Sequence, residues 1–251
     1  MTDSLRSLSI GWWLLASLAL SFLAANLSWR LQTWSNGRGR QIGAIVRGVS
    51  AAAPLTATGR FLFNIAIPYA ALLLGTLDPR LTGLTALDWM HSLGVAAAIA
   101  IATATLLWLD RIHLHILFPS PSPAEASLHV ARPSLLSTLW SVAFQQAHWA
   151  FYRGGAIAIL GAYNGAFAGL ALVVIEWILN PAWRAGWADE QHVQAFTFDL
   201  ALALTTTILF ILTGNLWVCA AVHGVIALAL SVSRQDVAHV CLDQDPPQGS
   251  L

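Results

Sequence analysis

The sequence predicts an all-α fold: a polytopic integral membrane bundle of about seven transmembrane helices. Three observations carry that expectation. Of 251 residues, 57% are hydrophobic and only 10% are charged, where a soluble domain carries about 25% charged residues. The mean hydropathy is +0.66. The apolar residues also gather into tracts near the roughly 20 residues a spanning helix needs, with Gly, Pro or polar breaks between them. The basic residues are all arginine and balance the acids to a formal net charge of zero. Nothing in that balance points to nucleic acid as a partner. Two cysteines, Cys219 and Cys241, are too few for a disulfide framework.

Seven tracts follow in order, at about residues 9–28, 61–77, 89–109, 135–160, 166–179, 196–213 and 216–233. The first, SIGWWLLASLALSFLAANLS, is too long and too poor in cleavage signals for a secretory leader, so it counts as a span. GAYNG at 161–165 and Gly214–Asn215 are the turn signals that divide the long apolar stretches. The fifth tract is short for a span and can be completed by starting before Ala166. The three N-terminal helices form one region, 1–133, the next four a second, 134–233, and a polar, disordered tail closes the chain at 234–251.

Arginine placement sets the orientation. Arg30, Arg38, Arg40, Arg47 and Arg60 lie in the loop between the first two tracts, and Arg111, Arg132, Arg184 and Arg234 fall on the same side. Only Arg6 and Arg80 fall opposite. A multi-pass cell-membrane protein results, with the N-terminus outside and the C-terminus cytoplasmic. The basic loop 29–60 then anchors on anionic lipid headgroups. Residues 110–134 hold His113, His115 and His129 in a solvated interfacial loop. Tryptophans 12, 13, 29, 34, 89, 108, 183 and 187 flank the tracts as an aromatic belt.

Polar groups inside the tracts are costly in lipid and face a partner or a cavity. They are Asn64, Gln145, Gln146, His148, Arg153, Glu176, Asp199 and His223. Asn64, a turn ahead of Pro68, is placed to satisfy backbone that the proline frees. Five polar side chains crowd into QQAHWAFYRGG at 145–155. Trp149 and Arg153 are four apart, which lets the guanidinium lie over the indole. His148 and Tyr152 make the neighbouring pair, and Gln145 extends the stripe.

AHWAFYRGGAI resembles the first motif of the CPBP family, the intramembrane metalloproteases related to CAAX-processing endopeptidases. That motif is two glutamates, three spacers and an arginine, usually followed by glycine. TGNLWVCAAVHGVIAL is similar to the family's last motif, in which a turn and Leu-Trp lead to a histidine. The resemblance covers about residues 135–233 and implies a four-helix core. In the family, glutamates and histidines face a cavity where a metal or an activated water cleaves a peptide bond. Here Arg153, Gly154 and His223 match, but His148 and Trp149 stand where the glutamates belong. LALVVIEWILN carries no histidine for the second motif, offering Glu176 or Trp177 instead. Ala227 replaces the last motif's asparagine.

If the helices converge as in the family, His148, Glu176 and His223 make two histidines and a carboxylate, a set that holds a divalent metal such as zinc. With Arg153, they are the candidate catalytic residues. The alternative is structural: Glu176 pairs with Arg153 or Arg184, and each histidine is a neutral core residue bonded to Gln145, Gln146 or a backbone carbonyl. Loss of three family groups favours a bundle that no longer hydrolyses peptides and serves as a binding or scaffold subunit beside other membrane proteins. One neutral imidazole facing a pocket would suffice to ligate a porphyrin-type pigment. A divergent metal-dependent intramembrane endopeptidase built on the rearranged triad is the competing expectation. A transporter would need an inverted repeat, which the sequence does not display.

Overall fold

The structure, a computed structural model, describes residues 2–37, 59, 61–86, 88–117, 134–187 and 190–242. The basic loop at 38–58, His129 with the PSPSP run, and the tail at 243–251 lie outside the described residues. Among those described, helices joined by turns make up the whole, with no strand. In chain order they are α1 (Thr2–Gly37), a π-helical turn (Leu62–Ala66) leading into α2 (Ile67–Leu73), α3 (Trp89–Leu117), α4 (Leu135–Leu160), α5 (Ala162–Leu179), α6 (Pro181–Gly186), α7 (Glu190–Thr213) and α8 (Leu216–Leu242).

Local chemistry sets the ends. Ser134 starts α4, its Oγ accepting the Ser137 backbone N–H at 3.1 Å. Gly161, at φ 79°, ends it. The break in GAYNG is that single glycine, so α5 begins at Ala162 and has 18 residues. Asn180 caps α6 ahead of Pro181. Asn215 caps α8, with Oδ1 accepting from the Trp217 and Val218 N–H groups at 2.9 and 3.3 Å. The apolar run of the last tract ends near Ser233, but α8 continues to Leu242.

Among the described residues, four helical stretches are long and apolar enough to cross a membrane: Ser9–Arg30, Trp89–Asp110, Ala162–Leu179 and Ala195–Thr213. They correspond to the first, third, fifth and sixth tracts. The second tract yields only the apolar helix Leu62–Leu73. Beyond it the chain turns through Gly75, at φ 69°, short of spanning length. The seventh tract's apolar helix, Leu216–Ala229, is also short. The helix α4 has 26 residues, but its polar cluster lowers its hydropathy.

That cluster explains where α4 sits. It packs most closely on α5 and also touches α1, α8 and the π-helical turn, while α7 packs on α3, α5 and α8. From Gln146 to Ala156, every α4 residue but Ala147 is buried. Leu14, Trp149, Tyr152, Val173, Phe210 and Val222 join one apolar core, to which α2 and α3 add Ala71 and Ala96. Two glycines let α5 approach. A Cβ on Gly165 would stand 2.4 Å from the Ile157 Cα, and one on Gly169 would stand 2.5 Å from the Arg153 Cα. This is the small-residue contact by which membrane helices pack backbone to backbone. The α2–α3 connection is seated on the start of α8, with the Leu216 N–H and the Trp217 Nε1–H donating to the carbonyls of Gly83 and Leu84 at 3.2 and 3.0 Å.

Candidate functional site: a polar seam along α4

The seam begins with a carbonyl that its own helix leaves unused. In the π-helical turn the Ile67 N–H bonds to the Leu62 carbonyl, and Pro68 has no N–H to offer. The Phe63 carbonyl therefore lacks its usual donor. His148, on α4, supplies it: Nδ1 lies 3.2 Å from the Phe63 oxygen. Asn64, the residue expected to serve the backbone freed by Pro68, is not what closes this carbonyl.

A carbonyl only accepts, so Nδ1 of His148 carries hydrogen. Its Nε2 then faces Glu176 Oε2 on α5 at 2.7 Å. The other carboxylate oxygen accepts from Ser21 Oγ on α1, also at 2.7 Å. One proton lies between Nε2 and Oε2, and wherever it resides the pair as a whole is neutral. Tyr152 lies over the imidazole, with ring centroids 4.3 Å apart, as four-residue spacing predicts. Its hydroxyl lies beside Glu176 and Ser17 without a well-formed hydrogen bond to either.

His223 belongs to a separate group one turn along. Gln146 Nε2 donates to its Nδ1 at 2.8 Å, which makes that nitrogen an acceptor and the ring a neutral imidazole. Trp149 stacks on the same ring, with centroids 5.2 Å apart and planes 13° from parallel. Trp149 therefore covers the histidine with an apolar face.

Arg153 occupies a third place. It is 2% exposed, donates from Nη1 to the Thr206 carbonyl on α7 at 3.2 Å, and lies 4.2 Å from the centroid of the Phe210 ring. The Cys219 thiol donates to the same carbonyl at 3.4 Å. Nε and Nη2 have no partner among the described residues. A charged side chain buried in apolar surroundings is costly, and the Phe210 face returns about 1–2 kcal/mol of that.

The structure thus brings His148 and Glu176 together and leaves His223 and Arg153 with other partners. The expected Trp149–Arg153 pair does not form, because α8 offers Trp149 a flat imidazole and α7 offers Arg153 a phenyl face. Glu176 pairs with neither Arg153 nor Arg184: His148 is closer, and Arg184 is exposed in the last turn of α6. Gln146 rather than Gln145 reaches a histidine. Among the described residues no three His, Cys, Asp or Glu side chains gather closely enough to hold a metal ion. The set His148, Glu176 and His223 does not fit zinc as arranged. Both His148 nitrogens and one of His223 are already hydrogen-bonded.

Ser21, the Phe63 carbonyl, Thr206 and Phe210 were not singled out by sequence. Ser17 and Ser21, four apart in an apolar tract, mark a polar face on α1. Pro68 marks a freed carbonyl, and Gly161, Gly165 and Gly169 at four-residue steps mark the close α4–α5 contact.

The fold and seam define an all-helical membrane protein whose interior polar groups bind helix to helix. No protein-family model, curated protein or solved structure matches the chain.

Proposed function

We propose that the chain is a CPBP-like membrane bundle of seven spans that does not hydrolyse peptides and serves as a binding or scaffold subunit of a membrane complex. The CPBP assignment rests on Arg153, Gly154 and His223 at the motif positions quoted above. The observation that carries the functional reading is the occupancy of His148 and Glu176. A general base must present a free nitrogen or oxygen to a water, and His148 spends both nitrogens on Phe63 and Glu176. Glu176 spends both oxygens on His148 and Ser21. Such groups hold helices in register and activate nothing. In this reading α4 crosses the membrane as an interior helix, its polar seam hidden by α1, α5, α7 and α8, and the short α2 and α8 tracts complete their crossings against it.

The test is to solubilise a tagged full-length chain gently from its native membrane and size it by native electrophoresis. A discrete assembly of reproducible composition is expected, unchanged in Glu176→Gln, and metal analysis is expected to find no stoichiometric zinc. Cleavage of a membrane-embedded peptide by the purified chain, lost in Glu176→Gln, would establish the endopeptidase instead. One equivalent of zinc, lost in the His148→Ala, His223→Ala double variant, would do the same.

A further inference from the structure

We propose that the His148–Glu176 pair is a proton-binding site, open to water from the side on which α4 begins. The first support is the hydrogen-bond pattern, which has room for one proton more than it holds. Nδ1–H donates to the Phe63 carbonyl, and one proton lies between Nε2 and Oε2. A second proton goes to Oε1 of Glu176, whose partner is the Ser21 hydroxyl at 2.7 Å. A hydroxyl both donates and accepts. When Oε1 gains hydrogen, Ser21 turns from donor to acceptor and His148 donates from both nitrogens as an imidazolium. All three contacts persist, and the pair passes from neutral to a single positive charge. The Tyr152 ring, 4.3 Å from the imidazole between centroids, lies within the distance at which an aromatic ring attracts a cation. Loss of the first proton has no such accommodation, because it sets the Nε2 lone pair against a carboxylate.

The second support is access. Glu176 is the less enclosed partner, its side chain 15% exposed against 5% for His148. It stands within one turn of the end of α5 at Leu179. Gly165 meets Ile157 and Gly169 meets Arg153, so α5 runs antiparallel to α4 and ends near the level of Ala143. From there back to Leu135, α4 has no α5 beside it. Ser141 and Gln145 share the face of His148 and Tyr152 by helical spacing, Ser141 exposed and Gln145 half-buried. Neither side chain has a hydrogen-bond partner among the described residues. They make a polar approach to the pair from the end of α4.

The surroundings leave the charge of the site to the pair itself. Besides His148, the titratable group beside Glu176 is Tyr152, and Ser21 is the remaining polar contact. Against these, α1 presents Ser17 and Ser21, and the π-helical turn presents the Phe63 carbonyl and ring. A buried carboxylate with a histidine partner is the arrangement by which helical bundles hold and pass protons. The ligand is a proton rather than a metal cation. Each polar atom of the pair already has a partner, and only a proton can be added without breaking a contact.

The experiment uses the full chain in lipid nanodiscs. Infrared difference spectra between neutral and mildly acidic buffer are expected to show the carbonyl stretch of a protonated carboxylic acid, reversible with pH and absent in Glu176→Gln. A hydrophilic, membrane-impermeant thiol reagent is expected to modify Ser141→Cys and Gln145→Cys, each made in a Cys219→Ala, Cys241→Ala background. It is expected to spare Ile101→Cys, on the exposed apolar face of α3. An acid band equal in the wild type and Glu176→Gln overturns the proposal, as does a Gln145→Cys no more reactive than Ile101→Cys. Should Glu176→Gln fail to fold, the Glu125→Gln, Glu190→Gln double variant leaves Glu176 as the single glutamate of the sequence. With isotope-labelled glutamate in that chain, an acid band that does not move with the label refutes the site. Native sizing tests the scaffold reading separately, so either can fail without the other.

Discussion

Glu176 is the carboxylate that α5 carries into the bundle, and His148 makes its burial tolerable. Removing one partner of a buried pair leaves the other desolvated and unpaired, at a cost of about 3–5 kcal/mol. His148→Ala is therefore expected to destabilise strongly, while Glu176→Gln, which can still accept from Ser21 and meet the imidazole, loses about 1 kcal/mol. Reversible unfolding in mixed micelles measures both, and equal losses would mean that the carboxylate charge, rather than hydrogen bonding alone, is what the pair supplies. Part of this seam is legible in sequence. His148 against Tyr152 follows from helical spacing, and a histidine bonded to a backbone carbonyl or to Gln146 is an arrangement the sequence already admits. The partner of Arg153 is not legible. Spacing places Trp149 within its reach, but Phe210, some 57 positions away in sequence, occupies the better site.

Each apolar tract becomes helix, yet their lengths depend on single residues and on neighbours. Gly161 alone breaks GAYNG, which lengthens α5. Gly75 and the turn after it cut α2 short. The sequence shows the glycines of α5 but not which helix they face. Gly169→Ala is expected to force α4 and α5 apart and to cost about 1–3 kcal/mol, because the added carbon meets backbone rather than a mobile side-chain tip. Gly94→Ala on α3, with nothing within 4 Å of the new carbon, is expected to be neutral or to stabilise by up to about 1 kcal/mol through helix propensity. Thermal melts of the two variants beside the wild type test the contrast. A Gly169→Ala protein as stable as Gly94→Ala would show that the close contact is dispensable. Pro68 acts at the same scale: by withholding an N–H it turns a stretch of helix into an acceptor for His148.

At the scale of the whole molecule, the number of crossings has a simple consequence. Seven spans place the two termini on opposite sides of the membrane, and four place them on the same side. Reporter fusions active only in the cytoplasm, placed at each end of the chain, are expected to be silent at the N-terminus and active at the C-terminus. Activity at both ends would favour the four stretches that qualify on length and hydropathy alone. Introduced cysteines in the basic loop are expected to react only with reagent supplied from the cytoplasmic side, as arginine placement requires.

Composition alone determined that this is a helical membrane protein, because 57% hydrophobic residues in long tracts have no aqueous fold that would bury them. It also determined which residues pay for being there, since every polar side chain in such a tract needs a partner. Which partner each one found was decided by the tertiary structure. Hydrogen bonding and stacking depend on distance and direction across helices, and those are set by how α4 is gripped by α1, α5 and α8. So the seam at QQAHWAFYRGG could be located in one dimension. That it separates into a neutral His148–Glu176 pair, a covered His223 and a half-satisfied Arg153 is a property of three.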